Sequence, residues 1–144
     1  MVLSTLNFID RLPAHNIVSY SVERIRHGEI DEHYRELQRS QNKNGIIQIG
    51  PKIASFYLRD VVSLYHLEDK IPDEFAIYLQ PVDVWIRKLA RKTGIVSDRA
   101  SDQEIQKAIV ALCKEYGHSP LQFNQGAWYV GYSEFDLLLE ILIK

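Results

Sequence analysis

Apolar residues recur three and four positions apart along most of this chain, and no segment alternates convincingly with period two. Pro51–Tyr65 carries the clearest pattern. Ile53, Tyr57 and Val61 form one apolar row, and Ala54, Leu58 and Val62 form the next. Lys52, Ser55, Arg59 and Ser63 fall on the opposite face, which can point at solvent or at a ligand. Asn16–His27 is a second helical segment, with Ile17, Tyr20 and Ile25 apolar and Gly28 as its stop. Ile30–Gln41 reads as a polar helix with little to bury, and Asn42-Lys43-Asn44-Gly45 as a turn. His66–Leu79 holds Pro72 and several acids and is assigned one short helix. Pro81–Thr93 is helical, with Pro81 in the first turn and Gly94 as the stop. Ser101–Tyr116 opens on a capping box of Ser101 and Glu104, turns Ile105, Ile109 and Leu112 inward, and ends at Gly117. Ser119–Gly131 and Ser133–Ile143 are two further helical segments, the second capped by Ser133. The predicted class is all-α: a compact helical domain of seven or so helices with short connections.

Length and composition narrow this picture. The 144 residues, without repeat, low-complexity tract or long linker, read as one domain, 1–144. A net charge of -2 excludes a uniformly basic nucleic-acid binder, so any such surface must be a local basic face. A single cysteine, Cys113, excludes an internal disulfide and points to a reducing compartment; it sits mid-helix among Val110, Ala111 and Leu112 and reads as core. No leader or membrane-spanning run is apparent, so a cytoplasmic location is expected. The five histidines show no paired ligand spacing, so no catalytic metal is expected.

The chemistry begins at Gly45-Ile46-Ile47-Gln48-Ile49-Gly50-Pro51-Lys52. An apolar turn ending in glycine leads directly into a helix. The first-turn N–H groups of a helix lack intrahelical acceptors and suit an anion such as a phosphate. Lys52 is locally unfavourable there, because the positive end of the dipole favours a neutral amine, which is what an amine nucleophile requires. A solvated surface lysine is the plain alternative. Asp83 opens the helix of Pro81-Val82-Asp83-Val84-Trp85-Ile86, where the dipole stabilises its anion; pairing with Arg87 four residues on is the plain alternative. Arg87, Lys88, Arg91 and Lys92 make the same helix basic, whereas acids gather in Glu23–Glu36 and Glu134–Glu140. Gln125 and Trp128 lie at i and i+3 with Asn124 beside them, an aromatic plane with amides on neighbouring positions of one face; Trp128 reads either as core or as the wall of a pocket. Trp85 is assigned to the core.

The turn with the helices on either side, about 30–65, resembles a helix-hairpin-helix, with Gln48 in place of the first glycine of the usual Gly-apolar-Gly. Gln48 must then adopt a conformation that glycine takes more easily, or the turn is shaped differently. Together with the Pro81–Ile86 segment, Ile49–Asp60 resembles the helix-hairpin-helix DNA glycosylases of the endonuclease III superfamily. The Ala54-Ser55…Leu58-Arg59 pattern and the wide Lys52-to-Asp83 gap are most like the archaeal 8-oxoguanine DNA glycosylases. Phe123–Gly131 looks like the helix near the base pocket of that family. The resemblance runs from about Gly45 to Gly131, and fewer residues precede the hairpin here than in that family.

The resemblance implies a base-excision-repair glycosylase with AP lyase activity on duplex DNA carrying an oxidised base such as 8-oxoguanine. Lys52 would be the nucleophile and Schiff-base former, and Asp83 its partner carboxylate. Gln48, Gly50, Ser55, Arg59, Arg87 and Lys88 would meet the DNA backbone, and Asn124, Gln125 and Trp128 would line the base pocket, within 81–131. The only cofactor it leaves room for is a monovalent cation at the hairpin. The protein would be a monomer, or a dimer that completes the cleft, associated with the nucleoid in a prokaryote. Two other readings stay open: a non-catalytic or truncated helix-hairpin-helix DNA-binding protein, and a helical protein-interaction domain in which Lys52 and Asp83 are surface residues.

Overall fold

The computed structural model describes residues 2–38 and 43–142, with backbone alone at 135, 136 and 138–142. The fold is all-α, with no strand among the described residues and one isolated parallel bridge between Gln38 and Ile46. Where the absence of a linker predicts one domain, the chain divides into two compact units, Met1–Leu79 and Gln80–Lys144, with no residues between them. Among the described residues no helix is long and apolar enough to cross a membrane.

The first unit opens with α1 (Val2–Asp10), a helix that the apolar pattern does not announce. It buries only Phe8 and leaves Val2, Leu3 and Leu6 exposed, so it has no clean polar face to read. α2 (Ile17–Arg26) starts where Asn16 accepts the amides of Val18 and Ser19, both at 3.0 Å. It stops at Gly28, whose φ of 76° few other residues adopt. α3 (Ile30–Leu37) is shorter than its polar pattern predicts, because Gln38 is already extended and bridges to Ile46. The predicted end at Gln41 and the start of the turn at Asn42 lie outside the described residues. α4 (Pro51–Leu64) has nearly the predicted bounds. Two 3₁₀ segments, Glu68–Lys70 and Asp73–Leu79, replace the single short helix expected over His66–Leu79, one on each side of Pro72. Ile25, Ile30, Leu58 and Val62 are completely buried at the centre of this unit.

α4 is also tied to its neighbours by a buried polar network. His33 Nε2 lies 2.8 Å from Ser21 Oγ, which is 2.7 Å from the Tyr57 hydroxyl; Ser21 donates to the Ile17 carbonyl at 2.7 Å. On the other side of the His33 ring, Nδ1 lies 3.5 Å from Glu36, which also accepts from the Tyr20 hydroxyl at 3.0 Å. The network joins α2, α3 and α4, and a network of buried polar groups is stable only when its members satisfy one another.

The second unit holds α5 (Val84–Lys92), α6 (Asp102–Glu115) and α7 (Pro120–Leu142). α5 starts three residues later than predicted. Pro81 is not in its first turn but buried ahead of it, because extended Asp83 is the cap. α6 carries the predicted capping box in full: Ser101 Oγ accepts the Glu104 amide and Glu104 accepts the Ser101 amide. The two predicted C-terminal segments meet at Glu134, where φ -145° and ψ 34° break α7, rather than at Gly131. Gly131 is helical and packs on Trp85: a side chain there would meet Trp85 Cβ at 2.7 Å. Val82, Ile86, Ala90, Ile105, Ile109 and Cys113 form the core, with Phe123 and Ala127 of α7 packed against them.

Candidate functional site

Around the start of α4 the chain turns through Gly45–Gly50. Ile46 is buried, Ile49 N–H donates to the Ile46 carbonyl at 3.1 Å, and Ile47 N–H donates to Ser4 Oγ of α1 at 3.1 Å. Gln48 stands at φ 71°, in the left-handed region. Of the two outcomes the sequence leaves open, Gln48 takes the glycine-like conformation. Gly50 is the N-cap residue, extended, and contributes no side-chain cap; a Cβ there would meet nothing within 4 Å. Pro51 has no N–H, so the first-turn amides of α4 are those of Lys52 and Ile53. Lys52 is exposed.

The helix is turned differently from its apolar rows. Ala54, Ser55, Leu58, Arg59, Val61 and Val62 are buried, whereas Ile53 is 41% exposed. Ser55 and Arg59, expected on the open face with Lys52, lie in the interior of the first unit. Arg59 Nε and Nη2 donate to Asp60 Oδ1 at 2.9 and 2.8 Å, and its guanidinium sits 4.9 Å from the Phe56 ring centroid. A guanidinium matched by a carboxylate and an aromatic face can be buried, which an apolar-pattern reading does not allow for. Neither residue presents a surface to a phosphate.

In the second unit, Asp83 Oδ1 accepts the amides of Trp85 and Ile86, both at 2.9 Å. The carboxylate is thus oriented by the start of α5. It is not paired with Arg87. That guanidinium instead donates to Asp102 of α6, at 2.8 to 3.0 Å. Its charge is matched, so Arg87 is a weaker phosphate ligand than the basic run suggested. Lys88 is exposed, with Nζ 4.7 Å from the Trp85 ring centroid. Trp85 is half-buried under that lysine rather than a core residue. Arg91 donates to the Ala100 carbonyl at 3.0 Å.

On α7, Asn124 is completely buried and its Nδ2 donates to the Pro81 carbonyl at 3.3 Å, so it is not available to a base. Gln125 is half-buried. Trp128 is 37% exposed and stacks on Tyr132, with centroids 5.7 Å apart and planes 7° apart. Tyr132 is a residue that the sequence reading misses, although its i+4 spacing from Trp128 is a usable signal. Cys113 is buried, as expected, and burial pushes its thiol above the usual range. Among the described residues no three His, Cys, Asp or Glu side chains gather in a way that could hold a metal ion.

No protein-family model, curated protein or solved structure matches this chain.

Proposed function

We propose that this protein is a DNA glycosylase with AP lyase activity, acting on an oxidised base such as 8-oxoguanine in duplex DNA, with Lys52 as nucleophile. The observation that carries the reading is the start of α4: an exposed lysine in the first turn of a helix with no side-chain cap, entered through a left-handed residue. A lysine at that point weakens the helix rather than supporting it, so a role beyond stability is favoured. The capped Asp83 and the exposed Trp128 on α7 support the reading from the second unit.

In this mechanism the backbone amides of Lys52 and Ile53 hold a DNA phosphate. The Lys52 amine attacks C1′ of the flipped nucleotide, forming the C–N bond as the bond to the base breaks. The electron pair leaves with the base, which takes up a proton. Asp83, held as a carboxylate acceptor, balances the positive charge that develops on the sugar. Opening of the sugar ring gives an iminium on Lys52; loss of a C2′ proton then expels the 3′ phosphate and nicks the strand.

Borohydride reduces such an iminium to a stable secondary amine. Incubation with duplex carrying 8-oxoguanine or an abasic site, plus borohydride, should give a covalent adduct that is lost in Lys52→Gln. An adduct that survives Lys52→Gln would remove Lys52 as the nucleophile. Duplex binding with no adduct on any lesion would leave a non-catalytic DNA-binding protein. Neither adduct nor binding would leave a helical protein-interaction domain.

A further inference from the structure

Two consecutive carbonyls lead into Asp83, and each is held by a side-chain amide from a different helix. Gln106 Nε2 of α6 donates to the Gln80 carbonyl at 2.8 Å. Asn124 Nδ2 of α7 donates to the Pro81 carbonyl at 3.3 Å. The segment itself is buried: Gln80 is 0% and Val82 2% exposed, Pro81 is fully buried between them, and the donor Asn124 is 0% exposed as well. Gln80 and Pro81 lie between the 3₁₀ segment that ends at Leu79 and the start of α5 at Val84, so neither carbonyl belongs to an α-helical ladder. A buried carbonyl without a partner is costly, and here α6 and α7 supply both partners. The next residue after Val82 is the cap, whose Oδ1 accepts from Trp85 and Ile86.

We infer that Gln106 and Asn124 are positioning residues that fix the Asp83 carboxylate by clamping the two carbonyls ahead of it. The inference rests on the proposed lyase reading for its functional consequence, but not for its structural one. Position matters because a carboxylate that must face developing charge loses much of its effect when displaced by about 1 Å. Asn124, rather than touching a base, would thus act on the reaction through Asp83.

The test compares Gln106→Met and Asn124→Leu, which remove the donors at similar volume, with Gln106→Lys, which keeps a donor on a stem of similar reach. Hydrogen exchange is read at the Trp85 and Ile86 amides against the later turns of α5, and kcat and KM are read on lesion duplex. Exchange at those two amides should rise about tenfold in the donorless variants, selectively over the rest of α5. Lyase kcat should fall about tenfold with KM unchanged, and Gln106→Lys should retain both. Unchanged exchange at Trp85 and Ile86 in Gln106→Met would overturn the inference, as would a loss spread evenly along α5. If the variant of the buried Asn124 does not fold, Gln106→Met, at a half-buried position, decides alone. If the unmodified protein turns over no lesion, the lyase reading fails, while the exchange measurement still decides the clamp.

Discussion

The starts of α4 and α5 are built in opposite ways. α5 satisfies its own amides: Asp83 accepts two of them and places a negative charge at the positive end of the dipole. α4 does the reverse. Its cap is a glycine, its first residue a proline and its second a lysine, and no side chain caps it. A helix start that completes itself is explained by folding alone. One left open to water, with a cation where the dipole disfavours it, is the feature on which the proposed phosphate contact and nucleophile rest. The same comparison shows why Asp83 is the more ambiguous residue: it has a structural duty whether or not it has a catalytic one.

The largest expected effect separates those duties. Lys52→Gln should abolish borohydride trapping, a loss of at least about a hundredfold, while changing urea-unfolding stability by no more than about 0.5 kcal/mol. A large stability loss in that variant would mean that Lys52 serves the fold. At Asp83, the pair Asp83→Asn and Asp83→Ala divides cap from chemistry. Asparagine caps nearly as well as aspartate, so Asp83→Asn should keep stability yet lose about a hundredfold or more in kcat. Asp83→Ala should lose the same activity and about 1 kcal/mol of stability besides. Equal activity in Asp83→Asn and the unmodified protein would reduce Asp83 to a cap.

What was legible in the sequence follows the reach of the interactions. The capping box at Ser101 and Glu104 and the glycine stops at Gly28 and Gly117 rest on atoms within four residues of each other, and the structure has them. Asp83 is legible as an acid at a helix start but not as the cap, because the pattern begins that helix at Pro81. The left-handed Gln48 was legible only as one of two alternatives, the other being a differently shaped turn. Partners distant in sequence were not. Arg87 finds Asp102 fifteen residues on rather than Asp83 four residues back, and Asn124 reaches the Pro81 carbonyl forty-three residues back. Periodicity also misplaced the open face of α4, since it treats Ser55 and Arg59 as polar without seeing that Asp60 and Phe56 allow Arg59 to be buried. The all-α class survives such errors because it depends on the period of the pattern and not on which residue faces which neighbour.

Acid should distinguish the units that carry the two helix starts. The hydrogen bond from His33 holds the Glu36 carboxyl below its usual range, with Tyr20 adding to it against the effect of burial. A carboxyl lowered in the folded state stabilises above its unfolded pKa, and that contribution is lost as pH falls through the lowered folded value. Glu104 is lowered too, by its bonds to Ser101, but it is fully exposed and solvent-screened. Amide exchange between pH 7 and 3 should therefore show α2, α3 and α4 loosening more than α6, and Glu36→Gln should remove most of that difference. Equal loosening in Glu36→Gln and the unmodified chain would show that the buried network does not control the acid response.

The smallest effect concerns the turn that precedes α4. At φ 71° Gln48 bears the steric cost of a left-handed L-residue, of the order of 1–2 kcal/mol, which glycine avoids. Glycine also adds freedom to the unfolded chain, offsetting roughly 0.5–1 kcal/mol of the gain. Gln48→Gly should thus stabilise by about 0.5 kcal/mol in urea unfolding, and Gln48→Val should destabilise by about 1 kcal/mol or more. If the turn matters to DNA only through backbone shape, affinity for undamaged duplex at fixed salt should stay within about twofold in Gln48→Gly. A fall of tenfold or more would assign the contact to the exposed Gln48 side chain itself, and a loss of stability would mean that this side chain holds the turn.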